Sequence, residues 1–266
     1  MRIRHEVVAA KRIVVKVGSS SITGDNEFKL DLIVDALAAA AARGVEVILV
    51  TSGAIATGMP LLKLTSKPDD LPTSQALAAV GQSRLIARYQ HSLERYDLIA
   101  AQVLLTSEDL SAIESRENAK SAMNRLVSLP QVLPIVNEND TVATAEIRFG
   151  DNDSLAAQVA VLINADWLFL LSDVDALYTM NPSKPGAQKI EFVVYGDDLS
   201  GIELDGSSTG VGTGGAVTKA KAAKVATDAG TNVLLTSSDN VALALQGEQV
   251  GTWFEAKPEF SAISHA

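Results

Sequence analysis

The chain has 266 residues, 47% of them apolar and 20% charged, and its 22 Lys and Arg against 32 Asp and Glu give a net charge of -10. That length can bury a substantial core in one large or two small domains, and a chain without cysteine has no disulfide framework, thiolate nucleophile or Cys-ligated metal centre. His5, His91 and His265 are too scattered to suggest a metal cluster, and the acidic balance argues against nucleic-acid or anionic-membrane partners, which need clustered Lys and Arg.

Residues 1–10 lack the apolar stretch of a signal peptide. The best membrane-span candidate, 154–171, is interrupted by Gln158, Asn164 and Asp166, short of the about 18 continuous apolar residues such a helix needs. A cytoplasmic protein is expected. Short apolar runs then alternate with helix-like stretches almost from end to end, the pattern of a parallel sheet wrapped by helices.

The first strand is expected at 12–17, where Ile13-Val14-Val15-Lys16-Val17 runs into Gly18-Ser19-Ser20-Ser21. A lysine in an apolar run is costly to bury unless an anion compensates it, and the small residues after it can expose backbone N–H groups; together they suit a phosphate. The alternative is an edge-strand lysine reaching solvent before an ordinary turn. Leu30, Ile33, Leu37 and Ala41 then share a helix face. A second strand at 45–51 leads into Ser52-Gly53-Ala54-Ile55-Ala56-Thr57-Gly58, in which Ser52 either caps the next turn or belongs to an anion-binding turn. Residues 58–74, holding Pro60, Pro68 and Pro72, are expected to form a long loop. Leu77, Val80, Arg84 and Ala87 form the next helix face, followed by strands at 98–105 and 132–136.

A polar segment follows from Asn137 to Asp153, containing Asn137-Glu138-Asn139-Asp140-Thr141 and Phe149-Gly150-Asp151-Asn152-Asp153-Ser154. Asp153-Ser154 precedes a helical pattern of Leu155, Val159 and Leu162 and is a plausible N-cap. Capping does not account for so many Asn and Asp, which can also serve Mg²⁺, an amino-acid ammonium or the anchoring of lysines. The spacing is not that of an EF-hand. A strand at 166–172 ends in Ser172-Asp173-Val174-Asp175, with Tyr178 beyond: an ordinary turn, or the border of a nucleotide. Gly210, Gly212 and Gly215 formally spell G-x-G-x-x-G, but no strand precedes them and no Gly-Lys-Ser/Thr follows, so neither the dinucleotide fingerprint nor a Walker loop is supported. What remains is a glycine loop opening a helix whose Lys219 suits a polyphosphate, while Lys221 and Lys224 belong to a solvated face. The last strand is expected at 232–236.

In this order the segments VKVGSS at 14–19, VTSGAIATG at 50–58, NENDTV at 137–142, FGDND at 149–153, LLSDVDALYT at 170–179 and GTGGAVTKAKAA at 212–223 resemble the amino-acid kinase superfamily, and within it the glutamate 5-kinase family, from Lys11 to about Glu255. The resemblance implies a three-layer αβα sandwich with a mainly parallel central sheet in a single domain, about 1–165 binding glutamate and 166–266 binding ATP. It implies ATP-dependent phosphorylation of the side-chain carboxylate of L-glutamate, with Mg²⁺ held mainly by the ATP phosphates. Lys16 and Lys219 would hold the phosphates and Asp153 would orient the lysines. Ser52, Gly53, Ala54, Asn137, Asp140 and Asn152 would serve glutamate. Gly18, Ser19, Ser172, Asp173, Tyr178, Thr213, Gly214, Gly215, Ala216, Val217 and Thr218 would join the lysines at ATP. It also implies feedback inhibition by proline near 137–153 and a homodimer or homotetramer. Lys63 stands where the family's loop is expected to carry glycine, and Ala216 where methionine is common. Many bacterial relatives carry a C-terminal PUA domain, and none is expected within these 266 residues. Another acceptor, such as acetylglutamate, aspartate or a nucleoside monophosphate, is the alternative within the class. A non-catalytic amino-acid sensor and a nicotinamide-dependent oxidoreductase lie outside it.

Overall fold

The computed structural model describes residues 6–66, 68–142, 152–199 and 215–258. The strands in chain order are β1 (Arg12–Val17), β2 (Glu46–Thr51), β3 (Ile99–Leu105), β4 (Val132–Glu138), β5 (Trp167–Ser172), β6 (Leu177–Tyr178), β7 (Lys189–Ile190), β8 (Phe192–Val193), β9 (Asn232–Ser237) and β10 (Thr252–Phe254). The helices are α1 (Lys29–Ala42), α2 (Ala54–Leu61), α3 (Leu71–Leu93), α4 (Ser107–Ser111), α5 (Ile113–Val127), α6 (Asn152–Leu162), α7 (Ala216–Asp228) and α8 (Val241–Leu245).

The six strands expected from apolar runs are β1 to β5 and β9. They lie side by side in the order β3-β4-β2-β1-β5-β9, all parallel, and the sheet continues through antiparallel β10 to β8. β6 and β7 form a separate two-stranded ribbon. The central strands read as near-continuous Val/Ile/Leu because helices cover both faces. Alternation sends Val15, Val17, Leu49, Phe169 and Leu171 into one core with residues of α1, α3 and α8. Val14, Ile48, Val50, Leu168 and Leu170 enter the opposite core with residues of α5, α6 and α7. These are the two packed interfaces of a three-layer αβα sandwich, in which each fully buried Val, Leu or Phe contributes roughly 2 kcal/mol.

Two expectations fail. Residues 58–74 are not one long loop: α2 runs through Pro60 to Leu61, and α3 begins at Leu71. Pro72 lies in the first turn of α3, where its missing N–H costs nothing, and the Asp70 side chain caps that turn by accepting from Thr73 N–H at 2.8 Å. The buried face of α3 is also not Leu77, Val80, Arg84 and Ala87. Val80, Arg84 and Ala87 are exposed, and Leu77, Ala78, Gly81, Gln82, Leu85 and Tyr89 face inward. Gly81 explains the choice of face. A Cβ there would stand 1.8 Å from the Ala54 carbonyl oxygen, and one on Gly58 would stand 2.3 Å from that of Leu77, so α2 and α3 cross backbone to backbone.

Candidate active site

Three buried charged groups meet where β1 ends. Strand parity places Lys16 on the same face of β1 as Val14, toward the layer of α6 and α7. Lys16 Nζ lies 2.6 Å from Asp153 Oδ1, and Lys219 Nζ, from the first turn of α7, lies 2.9 Å from Asp153 Oδ2. The Asp153 side chain is fully buried and the lysine side chains are 7% and 8% exposed. Two ammonium groups share one carboxylate, a surplus of positive charge that would be costly to bury for structure alone but suits an anion. Burial pushes the Asp153 carboxyl up, and the charges of Lys16 and Lys219 more than reverse this, holding it at about 2. Asp153 is therefore a permanent anion at neutral pH rather than a proton acceptor. It is not an N-cap either: α6 starts one residue earlier, at Asn152, and both Asp153 oxygens are directed to the lysines.

Beside this cluster a second group is joined by hydrogen bonds. Asn152 Nδ2 donates to Thr51 O at 2.9 Å, Ser52 Oγ at 2.6 Å and Asn137 Oδ1 at 3.1 Å. Asn137 Oδ1 also accepts from Glu138 N–H at 2.9 Å, and Asn137 Nδ2 donates to Gln82 Oε1 at 2.6 Å. The hydroxyls of Thr51 and Tyr89 stand 2.8 Å apart, and complete burial pushes the Tyr89 phenol upward, keeping it protonated. Asn152 Oδ1 is buried and has no hydrogen-bond partner among the described residues. Asn152 and Asp153 are neighbours in the first turn of α6, so the two groups share one anchor.

The turn after β2 needs glycine: Gly53 has φ +102°, in the left-handed region. A Cβ on it would lie 3.6 Å from Ser19 Cβ, so the turns after β1 and β2 lie against each other. A Cβ on Gly18 would come within 3.7 Å of Lys16 Nζ, and larger side chains there would cover the ammonium. Ala54 is buried at the start of α2, and Asp140 lies in the turn after β4 closed by Val142 N–H to Asn139 O at 3.1 Å. Ser172 ends β5, the strand paired with β1, and its hydroxyl donates to Oδ1 of the following Asp173 at 3.0 Å. The Tyr178 hydroxyl, on β6, donates to Asp175 Oδ1 at 2.9 Å. Gly215 caps α7, Ala216, Val217 and Thr218 form its opening, and Thr218 Oγ1 donates to Gly215 O at 2.9 Å. Thr213 and Gly214 lie outside the described residues.

Gln82 and Tyr89 were not apparent from the sequence as parts of the site. Their signal is a seven-residue spacing that puts both polar groups on the inward face of α3 with Leu85, a face that the exposed Val80 masks in the apolar pattern. Among the described residues no group of three His, Cys, Asp or Glu is placed to hold a metal ion, and no helix is long and apolar enough to cross a membrane.

The mainly parallel sheet carries its buried Lys–Asp–Lys cluster near the end of β1, and residues 11–237 match the model of the amino acid kinase family: the chain belongs to that family. Among similar relatives are glutamate 5-kinases. That of Clavibacter michiganensis subsp. michiganensis is 64% identical over 251 residues, 94% of this chain and 96% of the relative. That of Leifsonia xyli subsp. xyli is 58% identical over 262 residues, 98% of this chain and 97% of the relative. The glutamate 5-kinase of Salinispora arenicola is longer, 52% identical over 96% of this chain but only 70% of its own length. Among solved structures, the carbamate kinase from Giardia lamblia bound to AMP-PNP has the same fold, with a TM-score of 0.66 over 94% of this chain and 100% of that one at 18% identity.

Proposed function

We propose that the chain transfers the γ-phosphoryl group of ATP to the side-chain carboxylate of L-glutamate, forming L-glutamyl 5-phosphate and ADP, the first step of proline biosynthesis. The observation that carries this reading is the Lys16–Asp153–Lys219 cluster beside the Ser52–Asn137–Asn152 network, in a chain so similar to glutamate 5-kinases.

The chemistry fits the groups present. A substrate carboxylate, with a pKa near ~4.3, is ionised at neutral pH, so its attack on phosphorus requires no general base. One carboxylate oxygen forms the new P–O bond, the bridging bond to the β-phosphate breaks, and ADP leaves with the electron pair. The obstacle is charge: two like charges about 4 Å apart repel by roughly 4 kcal/mol at an effective dielectric near 20. Lys16 and Lys219 offset that repulsion from opposite sides of Asp153, which fixes their positions before the substrates arrive. The N–H groups of Gly18, Ser19 and Gly53 are donors for the transferring group, and Ser172, Asp173, Tyr178 and residues 213–218 border the nucleotide. Both Asp153 oxygens face lysines, so Mg²⁺ would be held mainly by the ATP phosphates and would supply further neutralising charge there. In this reading residues up to about 165 bind glutamate and those from 166 bind ATP, within one domain. Proline competes near 137–153.

The test is magnesium-dependent ADP release against glutamate, acetylglutamate, aspartate and UMP, with hydroxylamine present to trap acyl phosphate. Hydroxamate from glutamate alone is expected. Preference for another acceptor would replace the substrate, and binding of glutamate without ADP formation would replace the enzyme by a sensor.

A further inference from the structure

We propose that Gln82 is a positioning residue for the acceptor substrate, fixing the amide orientation of Asn137 and, through it, that of Asn152. The inference rests on the Ser52–Asn137–Asn152 network being the acceptor pocket.

The network lies between two backbone groups whose polarity cannot reverse. At one end the Glu138 N–H is a donor, so the branch of the Asn137 amide that meets it at 2.9 Å must be oxygen. At the other end the Thr51 carbonyl is an acceptor, so the branch of Asn152 that meets it at 2.9 Å must be nitrogen. The contact between the two side chains, Asn152 Nδ2 to Asn137 Oδ1 at 3.1 Å, agrees with both assignments. A flipped Asn137 would set its NH₂ against the Glu138 N–H and the Asn152 NH₂ together. With its oxygen used twice, Asn137 has its NH₂ on the other side, and Gln82 Oε1 receives it at 2.6 Å.

Gln82 is therefore the acceptor that pairs the NH₂ of Asn137 in the orientation its oxygen requires. Without it that buried NH₂ would lose its partner, which would weaken the preference for this orientation and loosen the chain of bonds. What the chain of bonds holds in place is Asn152 Oδ1, a buried acceptor with no hydrogen-bond partner among the described residues. The α-ammonium is the one strong donor that an amino-acid acceptor carries at neutral pH, and a fixed buried oxygen is suited to receive it. Gln82 itself reaches the network because Gly81, its neighbour, lets α3 come against the Ala54 backbone.

Such a residue acts through ground-state binding of one substrate. Gln82→Met, which keeps length but removes the acceptor, is expected to raise KM for glutamate about tenfold while kcat and KM for ATP change less than about threefold. The double-mutant cycle separates this from a packing defect. In an Asn137→Ala background, where nothing remains for Gln82 to orient, Gln82→Met should raise KM for glutamate by less than about twofold. Should Gln82→Met fail to fold, Gln82→Ser removes the same acceptor without adding apolar bulk and is held to the same outcomes. Unchanged KM for glutamate, a loss confined to kcat, or full additivity with Asn137→Ala would overturn the role of Gln82 while leaving the kinase reading intact. Wild-type protein that forms no hydroxamate from glutamate would overturn both.

Discussion

Asp153 carries two consequences of one geometry. Its carboxylate holds Lys16 and Lys219 at 2.6 and 2.9 Å, and the lysines in turn hold its pKa at about 2 against an ordinary value of 3.8. A depressed acid contributes stability that is fully present above the unfolded value and is lost as pH falls through the folded one. The contribution, of order 2 kcal/mol, should thus be complete above about pH 4 and fade toward pH 2. Asp153→Asn is expected to be less stable than wild type at pH 7, with the gap closing on acidification. Urea melts at stepped pH measure this, and a gap independent of pH would contradict it. The lysines have a different signature. Lys16→Ala and Lys219→Ala should each lower kcat by about 100-fold or more with folded spectra retained. Near-normal ADP release by either variant would remove that residue from the reaction. Backbone conformation distinguishes two further positions. Lys63, where the family's loop is expected to hold glycine, sits at φ +57°, and Gly53 at φ +102°. Lys63→Gly relieves a left-handed L-residue and should leave stability unchanged or raise it by up to about 1 kcal/mol, whereas Gly53→Ala should lower it by at least about that much. Thermal melts of the pair test the contrast.

At the scale of elements, α3 connects the fold to the site. The crossing at Gly58 and Gly81 presses α3 onto the start of α2, immediately after the Ser52–Gly53 turn, and the same face of α3 then delivers Gln82 to Asn137 and Tyr89 to Thr51. Gly81→Ala must separate two backbones, because its Cβ would stand 1.8 Å from the Ala54 oxygen. We expect a lower melting temperature together with a rise in KM for glutamate larger than that for ATP. A destabilised variant with both KM values unchanged would show that the crossing supports the fold alone. This helix also marks how far the sequence could be read. The six long strands were legible because parallel strands covered on both faces become continuous apolar runs. The inward face of α3 was not, because it is built from Ala78, Gly81 and Gln82 while Val80 faces solvent, so apolar periodicity selects the wrong stripe. β6, β7, β8 and β10, of two or three residues each, are too short to show any period. In the site, Lys16 and Lys219 were legible as charges in an apolar run and at a helix opening. Asp153 read locally as a cap, and its place between the lysines followed only from the family resemblance, because the contact joins β1, α6 and α7 across the sheet layer.

The strand order of the sheet changes direction beside the Lys16–Asp153–Lys219 cluster. The chain up to about 165 builds the β3-β4-β2-β1 side of the sheet, and the chain beyond builds β5-β9-β10-β8, so the strand order changes direction between β1 and β5. Such switch points leave a crevice at the carboxyl ends of the strands, since neighbouring connections leave in opposite directions. Lys16 lies next to the end of β1, Ser172 ends the adjoining β5, and Asp153 and Lys219 approach from α6 and α7, one from each half. This arrangement predicts how mutations should partition. Ser52→Ala, in the first half, should raise KM for glutamate about tenfold and leave KM for ATP within about twofold; Asp173→Ala, in the second, should do the reverse. Lys16→Ala and Lys219→Ala, at the seam, should lower kcat with smaller changes in either KM. Steady-state kinetics with each substrate varied in turn decides it. If Ser52→Ala and Asp173→Ala both raised both KM values alike, the substrates would not occupy separate halves, and the phosphoryl group would not cross the β1–β5 seam between them.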